Sequence, residues 1–257
     1  MKQLAACLTL VVALLPSAGV AGGIDLRKLF HKPRMALPQG FPEGLDVIPC
    51  THASNWLARQ PLACGPFQVT QFRFAWTPPG RLSQLHRLAT RREMTYSFSI
   101  EVGGSLAWEG LCRQAQAASA AVPEGEHSSV EASNLVVSAV QCYLRDMVTL
   151  GAWTLDLRTD IHPYLLSPDI DSVGSLVSGE TRLEVVEAHA IDGLSLLSGW
   201  SIGFLFSRDG RWIAAAHAGP AGGLRLEPTA ERGPIVAGCA ALLLHAALAN
   251  GGFAGGD

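Results

Sequence analysis

The stretch from Gly233 to Ala249, Gly-Pro-Ile-Val-Ala-Gly-Cys-Ala-Ala-Leu-Leu-Leu-His-Ala-Ala-Leu-Ala, restricts the fold more than any other part of the 257-residue chain. Pro234 suits a first helical turn, where a missing N–H is no loss, and Asn250-Gly251 supplies a left-handed stop, so the segment reads as a helix. It is apolar on every side. Such a helix belongs inside a protein or inside a bilayer. At 1.5 Å per residue it reaches roughly 23 to 25 Å, short of the ~30 Å hydrocarbon layer, and it carries His245 near its end. It is expected to be a core helix, Gly233 to Ala249, and the rest of the chain must supply its wall.

The material for a wall is present: 48% of the residues are hydrophobic and only 16% are charged, enough for one sizeable core. Residues 1–21 have the pattern of a bacterial secretory signal. Lys2 is the positive start, Leu4 to Leu15 the apolar run, Pro16 the breaker, and Gly19-Val20-Ala21 the small residues before a cut near Ala21. Leu4-Ala5-Ala6-Cys7 has the letters of a lipobox, but its apolar region follows the cysteine instead of preceding it, so lipidation is rejected. As an uncleaved anchor the apolar run is short of the ~20 residues of a span. The expected destination is the periplasm or the exterior. Residues 22–49 read as an extended, proline-broken arm with a basic foot (Arg27, Lys28, His31, Lys32, Arg34), 50–251 as a single β-rich domain, and 252–257 as a tail.

Export permits disulfides. Beyond Cys7 the cysteines are Cys50, Cys64, Cys112, Cys142 and Cys239, an odd set. Cys239 lies mid-helix among Ala and Leu, as a small buried hydrophobe would. Cys50 with Cys64 and Cys112 with Cys142 are the favoured pairs, although the sequence alone allows other connectivities. No CxxC spacing points to zinc or redox chemistry.

Charge is unevenly distributed. Between Val47 and Arg92 there is no acid, only arginines with two histidines, whereas Pro123 to Glu187 is strongly acidic. Either the two segments neutralise each other, or the basic one faces an anionic partner such as lipid headgroups. Leu82, Leu85 and Leu88 recur at helical spacing among Arg81, Arg87, Arg91 and Arg92, which predicts a short amphipathic basic helix with those four arginines as its contact.

Most of the remaining periodicity is that of strands. Ser54-Asn55 begins a single helical turn that Pro61 ends. Phe67 to Trp76 alternates with a slip of one, a strand bulged at Thr70-Gln71. Tyr96 to Val102 alternates cleanly. Gly103 to Ser105 is then expected as a three-residue turn, because that choice sets Ile100 opposite Trp108 and Tyr96 opposite Cys112 and keeps one face apolar. Residues 114–133 read as a low-complexity surface insert. Leu135 to Tyr143 and Trp153 to Arg158 return as strands, Asp160 to Gly179 reads as a long irregular loop, and Arg182 to Ile191 resumes strand character. Trp200 to Phe206 alternates up to Asp209-Gly210, a strong two-residue hairpin signal that sets Phe206 opposite Ile213, Phe204 opposite Ala215 and Ile202 opposite His217. The small-residued return through Ala214 to Ala216 implies that something passes close by. A short strand, Leu224 to Glu227, leads to Pro228 and the helix.

The fold class expected from these patterns is mainly β, α+β by content. It is an antiparallel β-barrel or strongly curved sheet wrapped around the hydrophobic C-terminal helix; a β-sandwich with a packed C-terminal helix is the alternative. Strand, Asp-Gly turn, strand, short strand and apolar helix, from Trp200 to Ala249, resembles the end of tubby-like domains, a group that includes the phospholipid scramblases and the plant LURP-one-related proteins. The resemblance implies a closed antiparallel barrel with a hydrophobic helix through its middle. It carries over no functional residue, since neither a phosphoinositide-binding Lys/Arg pair nor a scramblase calcium segment has a counterpart here.

Candidate chemistry is sparse. Asp160 and His162 have the residue types for acid/base work, and Asp169 and Asp171 in the same stretch have those for holding a divalent cation. Loop aspartates more often cap turns. His189, His217 and His245 lie in apolar surroundings, as structural histidines do. No Gly-x-Ser-x-Gly, P-loop or Gly-x-Gly-x-x-Gly occurs, no cofactor is implied, and export disfavours nucleic acid. The expected function is that of an exported non-catalytic binding module, with an anionic lipid surface or another envelope protein as partner. An Asp/His-dependent hydrolase or metal-binding enzyme and a structural cell-envelope protein are the alternatives. Nothing in the sequence sets the oligomeric state.

Overall fold

The structure, a computed structural model, describes residues 35–52, 62–77, 89–119, 135–162, 169–190, 201–218, 222–228 and 231–249. Side chains are described throughout these ranges except at 52, 76–77, 89–92, 116–119, 135–137, 161–162, 169–171 and 249. The chain divides into two compact units, Met1–His31 and Lys32–Asp257, and every described residue belongs to the second. The expected signal at 1–21, the expected basic foot, the expected helical turn at Ser54, Arg81 and Arg87, and the tail lie outside the described residues.

Twelve strands form one closed antiparallel barrel. They are β1 (Asp46–His52), β2 (Leu62–Cys64), β3 (Phe67–Thr77), β4 (Ala89–Val102), β5 (Ser105–Ser119), β6 (Leu135–Asp146), β7 (Ala152–His162), β8 (Asp169–Ser178), β9 (Thr181–Ala188), β10 (Gly203–Arg208), β11 (Arg211–His217) and β12 (Gly223–Leu226). Each pairs with its neighbours in sequence, and β1 closes the ring by dividing its length. Asp46 to Pro49 pair with β12, and Cys50 to His52 pair with β2. The last four residues of the expected arm are therefore wall. Closure gives every strand a partner on both sides, although β2 meets only Phe67 and Gln68 of the longer β3.

Helix α1 (Arg232–Ala249) fills the barrel. Leu242, Leu243, Leu244 and Leu248 are buried, packed with Tyr96, Leu155, Leu176, Leu183, Phe204 and Phe206 from around the wall. Tyr96 Oη donates to Ala241 O at 2.9 Å, so a wall side chain is bonded to the middle of the helix. Between Leu62, Val69, Ile100 and Leu243 the remaining gap is about 10 Å³, too small for a useful ligand. Among the described residues no helix is long and apolar enough to cross a membrane.

The cysteines pair as favoured, Cys50 with Cys64 and Cys112 with Cys142, and Cys239 is a buried free thiol. Both disulfides join residues that are cross-strand partners. They are consistent with an exported protein.

Several local expectations change. Ile100 does face Trp108 and Tyr96 does face Cys112, but Val102 pairs with Ser105 around a Gly103-Gly104 turn, and the irregularity falls between Ile100 and Glu101. The extra residue is Ala107 in the strand, not Ser105 in the loop. At the Asp209-Gly210 hairpin Arg208 faces Arg211 as expected, but beyond Ser207 the register shifts, setting Phe206 opposite Ala214, Phe204 opposite Ala216 and Gly203 opposite His217. The bulge lets Ile213 and Ala214 both reach the core, while Ala215 goes outside with Leu205. That outer face is also apolar because Met35, Leu37 and Phe41 of the arm pack over it, which explains the unbroken apolar run from Ile202 to Phe206.

Two segments expected to be irregular are strand. Residues 114–119 continue β5, with Gln114 buried, and only the later part of the expected insert lies outside the described residues. Asp160 to Gly179 is mostly β7 and β8. Its alternation is hard to see because the inward positions include Ser172 and Gly174 while Val173 points to solvent. A side chain at Gly174 would strike the backbone of Asp156 and Leu157, so the small residue is required there. The expected basic helix does not reach Arg91 and Arg92. These belong to β4, opposite Ala117 and Gln116, where the hairpin ladder begun at Gly103-Gly104 outweighs a weak helical pattern.

Candidate binding face

With α1 filling the lumen, the ligand-sized hollows among the described residues lie on the outer surface. On β5 and β6 the inward set (Trp108, Gly110, Cys112 and Gln114; Val140, Cys142 and Leu144) leaves Leu111 and Tyr143 pointing outward as direct cross-strand partners. They are 60% and 53% exposed. The β6–β7 turn adds Val148 at 79% and Leu150 at 64%, and Leu106 at the start of β5 is also exposed. Elsewhere among the described residues the exposed large hydrophobics are Val47 and Val173. Such clustering is what marks an interaction surface.

The turn is held in shape. Asp146 Oδ1 accepts the backbone N–H groups of Val148 at 2.8 Å and Thr149 at 3.1 Å, and Asp146 N donates to Gly151 O at 2.9 Å. Partial burial works to raise the Asp146 carboxyl, but the hydrogen bonds from Thr149 and Val148 hold it below the usual range. Met147 N donates to Ala107 O, tying the turn to β5. Leu150 occupies the left-handed region (φ 60°), a conformation that glycine would take more easily, and it shows its side chain to solvent.

Beside this apolar tip lies a groove of about 380 Å³. Its floor is small or polar, with Ser97 and Ser99 of β4 and Glu109 and Gly110 of β5. Gly110 stays small because a side chain there would meet the Phe98 ring. One bank is Gln71 and Arg73, turned by the expected bulge between Thr70 and Arg73, where Gln71 has φ 52°. The other bank is Tyr143 and Arg145 of β6. Arg113, Arg158, Arg208, Arg211 and Arg232 each hold a carboxylate. Arg73 and Arg145, like Arg182 and Arg225 elsewhere on the wall, make no ion pair among the described residues.

A second polar group lies inside the barrel. Ser138, Thr159 and Ser172 are successive cross-strand partners, and Ser172 Oγ accepts the Glu187 N–H at 2.9 Å. Thr159 Oγ1 donates to Glu187 Oε2 at 2.5 Å, and His189 Nε2 lies 3.7 Å from the same oxygen. Burial works to raise the Glu187 carboxyl, but the His189 and His245 imidazoles and the Thr159 hydroxyl outweigh it and bring it down to about 2. Burial lowers His245, against the pull of Glu187, and its Nδ1 has no partner among the described residues. This is a buried carboxylate with His189 beside it and His245 of α1 within its electrostatic reach.

The sequence-derived candidates are placed as follows. Asp160 and Asp171 are cross-strand partners, as are His162 and Asp169, so the register brings the four positions to one end of β7–β8. Asp160 accepts from Arg158 Nε at 3.0 Å, and the side chains of His162, Asp169 and Asp171 lie outside the described residues. No group of three His, Cys, Asp or Glu suited to a metal ion occurs among the described residues. Arg91 and Arg92 are at adjacent positions of β4, and their side chains lie outside the described residues.

Sequence reasoning missed Arg73, Leu111, Tyr143, Arg145, Val148 and Leu150. The available signals were apolar residues out of phase with the inward set and an apolar turn, Met147 to Leu150, where turns are ordinarily polar. No family model, no curated protein and no solved structure matches the chain.

Proposed function

We propose that the protein is an exported, non-catalytic binding module that docks on an anionic membrane surface through the β5–β6 face and the β6–β7 turn. The observation that carries this reading is the gathering of Leu106, Leu111, Tyr143, Val148 and Leu150 beside two arginines that no described carboxylate holds. Apolar tip, interfacial tyrosine and basic flank are the parts of a surface-lying membrane contact. A tip already fixed by Asp146 has little ordering entropy to lose on docking. Kinship with the tubby-like group, proposed on architecture alone, assigns no residue a role in this reading.

Burying Val148 and Leu150 contributes roughly 3 kcal/mol together, and each arginine about 1 kcal/mol near an anionic surface. In co-sedimentation with phosphatidylglycerol-containing vesicles at low salt, the protein is expected to bind. Val148→Asp with Leu150→Asp should lower binding about 100-fold. No binding at low salt, or unchanged binding by the double variant, overturns the reading.

A further inference from the structure

The groove beside the tip differs from a general basic patch because it holds a carboxylate. Glu109 stands on its floor, the direct cross-strand partner of Ser99 on one side and of Arg145 on the other. Glu109 is exposed, and its side chain makes no hydrogen bond or ion pair among the described residues. Arg73, on β3, is in line with Tyr143, so it stands three strand spacings across and two residues along from Arg145 on β6, about 16 Å, within the combined reach of two long side chains over the floor. Two guanidiniums and one carboxylate around a hollow of mixed lining, with Leu111 and Tyr143 beside the serines, fit a ligand that carries an anion and a cationic amine together.

We propose that this groove takes the zwitterionic amino-phosphate headgroup of a lipid. Arg73 and Arg145 bind the phosphate, and Glu109 accepts hydrogen bonds from the primary ammonium. Depth agrees with a lipid source. Arg145 precedes Val148 by three residues, roughly 10 Å along the chain, so a tip seated at the headgroup–acyl boundary leaves the groove among the headgroups. A primary amine is favoured over a quaternary one because the hollow presents a carboxylate and a single exposed ring, Tyr143, where quaternary ammonium recognition relies on cages of several rings. The inference deepens the membrane reading and rests on it for the source of the headgroup.

Vesicles of constant phosphatidylglycerol content, with the remainder either phosphatidylethanolamine or phosphatidylcholine, test it. The protein is expected to bind the ethanolamine vesicles about tenfold more tightly, one charge-assisted hydrogen bond's worth, and Glu109→Gln should bring the ratio to about one. Equal binding by the unmodified protein, a preference for choline, or a preference that survives Glu109→Gln overturns the inference while leaving the membrane reading standing. Soluble phosphoethanolamine, phosphocholine and inorganic phosphate, titrated against the Tyr143 ring resonances, test the groove without a membrane. A shift with phosphoethanolamine alone supports the site even if no vesicle binds, in which case the membrane reading fails by itself. Equal shifts with all three remove the role of the amine.

Discussion

Leu243→Asp is expected to yield no folded protein. Leu243 is 1% exposed at the centre of α1. An aspartate there loses a leucine's packing, about 2 to 5 kcal/mol, and must also bury a carboxylate without a partner, which costs several kcal/mol more. The sum reaches or exceeds the 5 to 15 kcal/mol that typically holds a domain together. Leu243→Met, which keeps the volume, should fold with a loss below about 1.5 kcal/mol. The pair is read by soluble yield and by dispersion of the amide resonances. A dispersed spectrum from Leu243→Asp means that the helix is peripheral.

Acid should weaken the protein in two steps. His245 is held below its ordinary 6.5 by burial, so the unfolded chain binds a proton that the folded one resists, and stability falls as pH drops below about 6.5. Glu187 titrates at about 2 when folded against about 4.3 unfolded, so its contribution is complete above the unfolded value and is lost between about 4.3 and about 2. That difference is worth about 3 kcal/mol. Glu187→Gln should therefore be about 3 kcal/mol less stable at pH 7, with the gap closing toward pH 2. Urea midpoints measured from pH 7 to pH 2 read both steps. A gap that stays constant over that range contradicts the assignment.

The helix and its wall were legible because their signals are local and strong. An all-apolar helix, an Asp-Gly turn and a phase slip at Thr70 each have few structural solutions, and the closed barrel accommodates all of them. The strand β8 was not legible. Ser172 and Gly174 face the interior because Glu187 and the Leu157 backbone need a hydroxyl and an open space there, which erases the apolar alternation. The bulge at Ile213 was hidden for another reason: the outer cover of Met35, Leu37 and Phe41 comes from a distant part of the chain.

The binding face was the least legible part. The acid-free stretch pointed to a basic partner face, and Arg73 within it does line the groove. Its complement, Tyr143 and Arg145, is on β6, brought alongside only by the intervening strands β4 and β5. Leu111 and Tyr143 look like ordinary strand residues until the inward set is fixed. Of the three histidines expected to be buried, His189 and His245 are and His217 is only half-buried; Glu187, read only as part of an acidic segment, lies 3.7 Å from His189 and feels the charge of His245.

The most direct test of membrane docking is a depth measurement at the tip. Cys239 is fully buried, its thiol pushed up by burial, and the other described cysteines are in disulfides, so an introduced thiol can be labelled selectively. An environment-sensitive fluorophore is attached at Val148→Cys and, in a separate variant, at Val173→Cys, which is also well exposed but lies away from the tip on β8. With phosphatidylglycerol vesicles the probe at 148 should shift to the blue and be quenched by brominated acyl chains, while the probe at 173 stays unchanged. Equal responses at both positions, or none at 148, would contradict docking through this face.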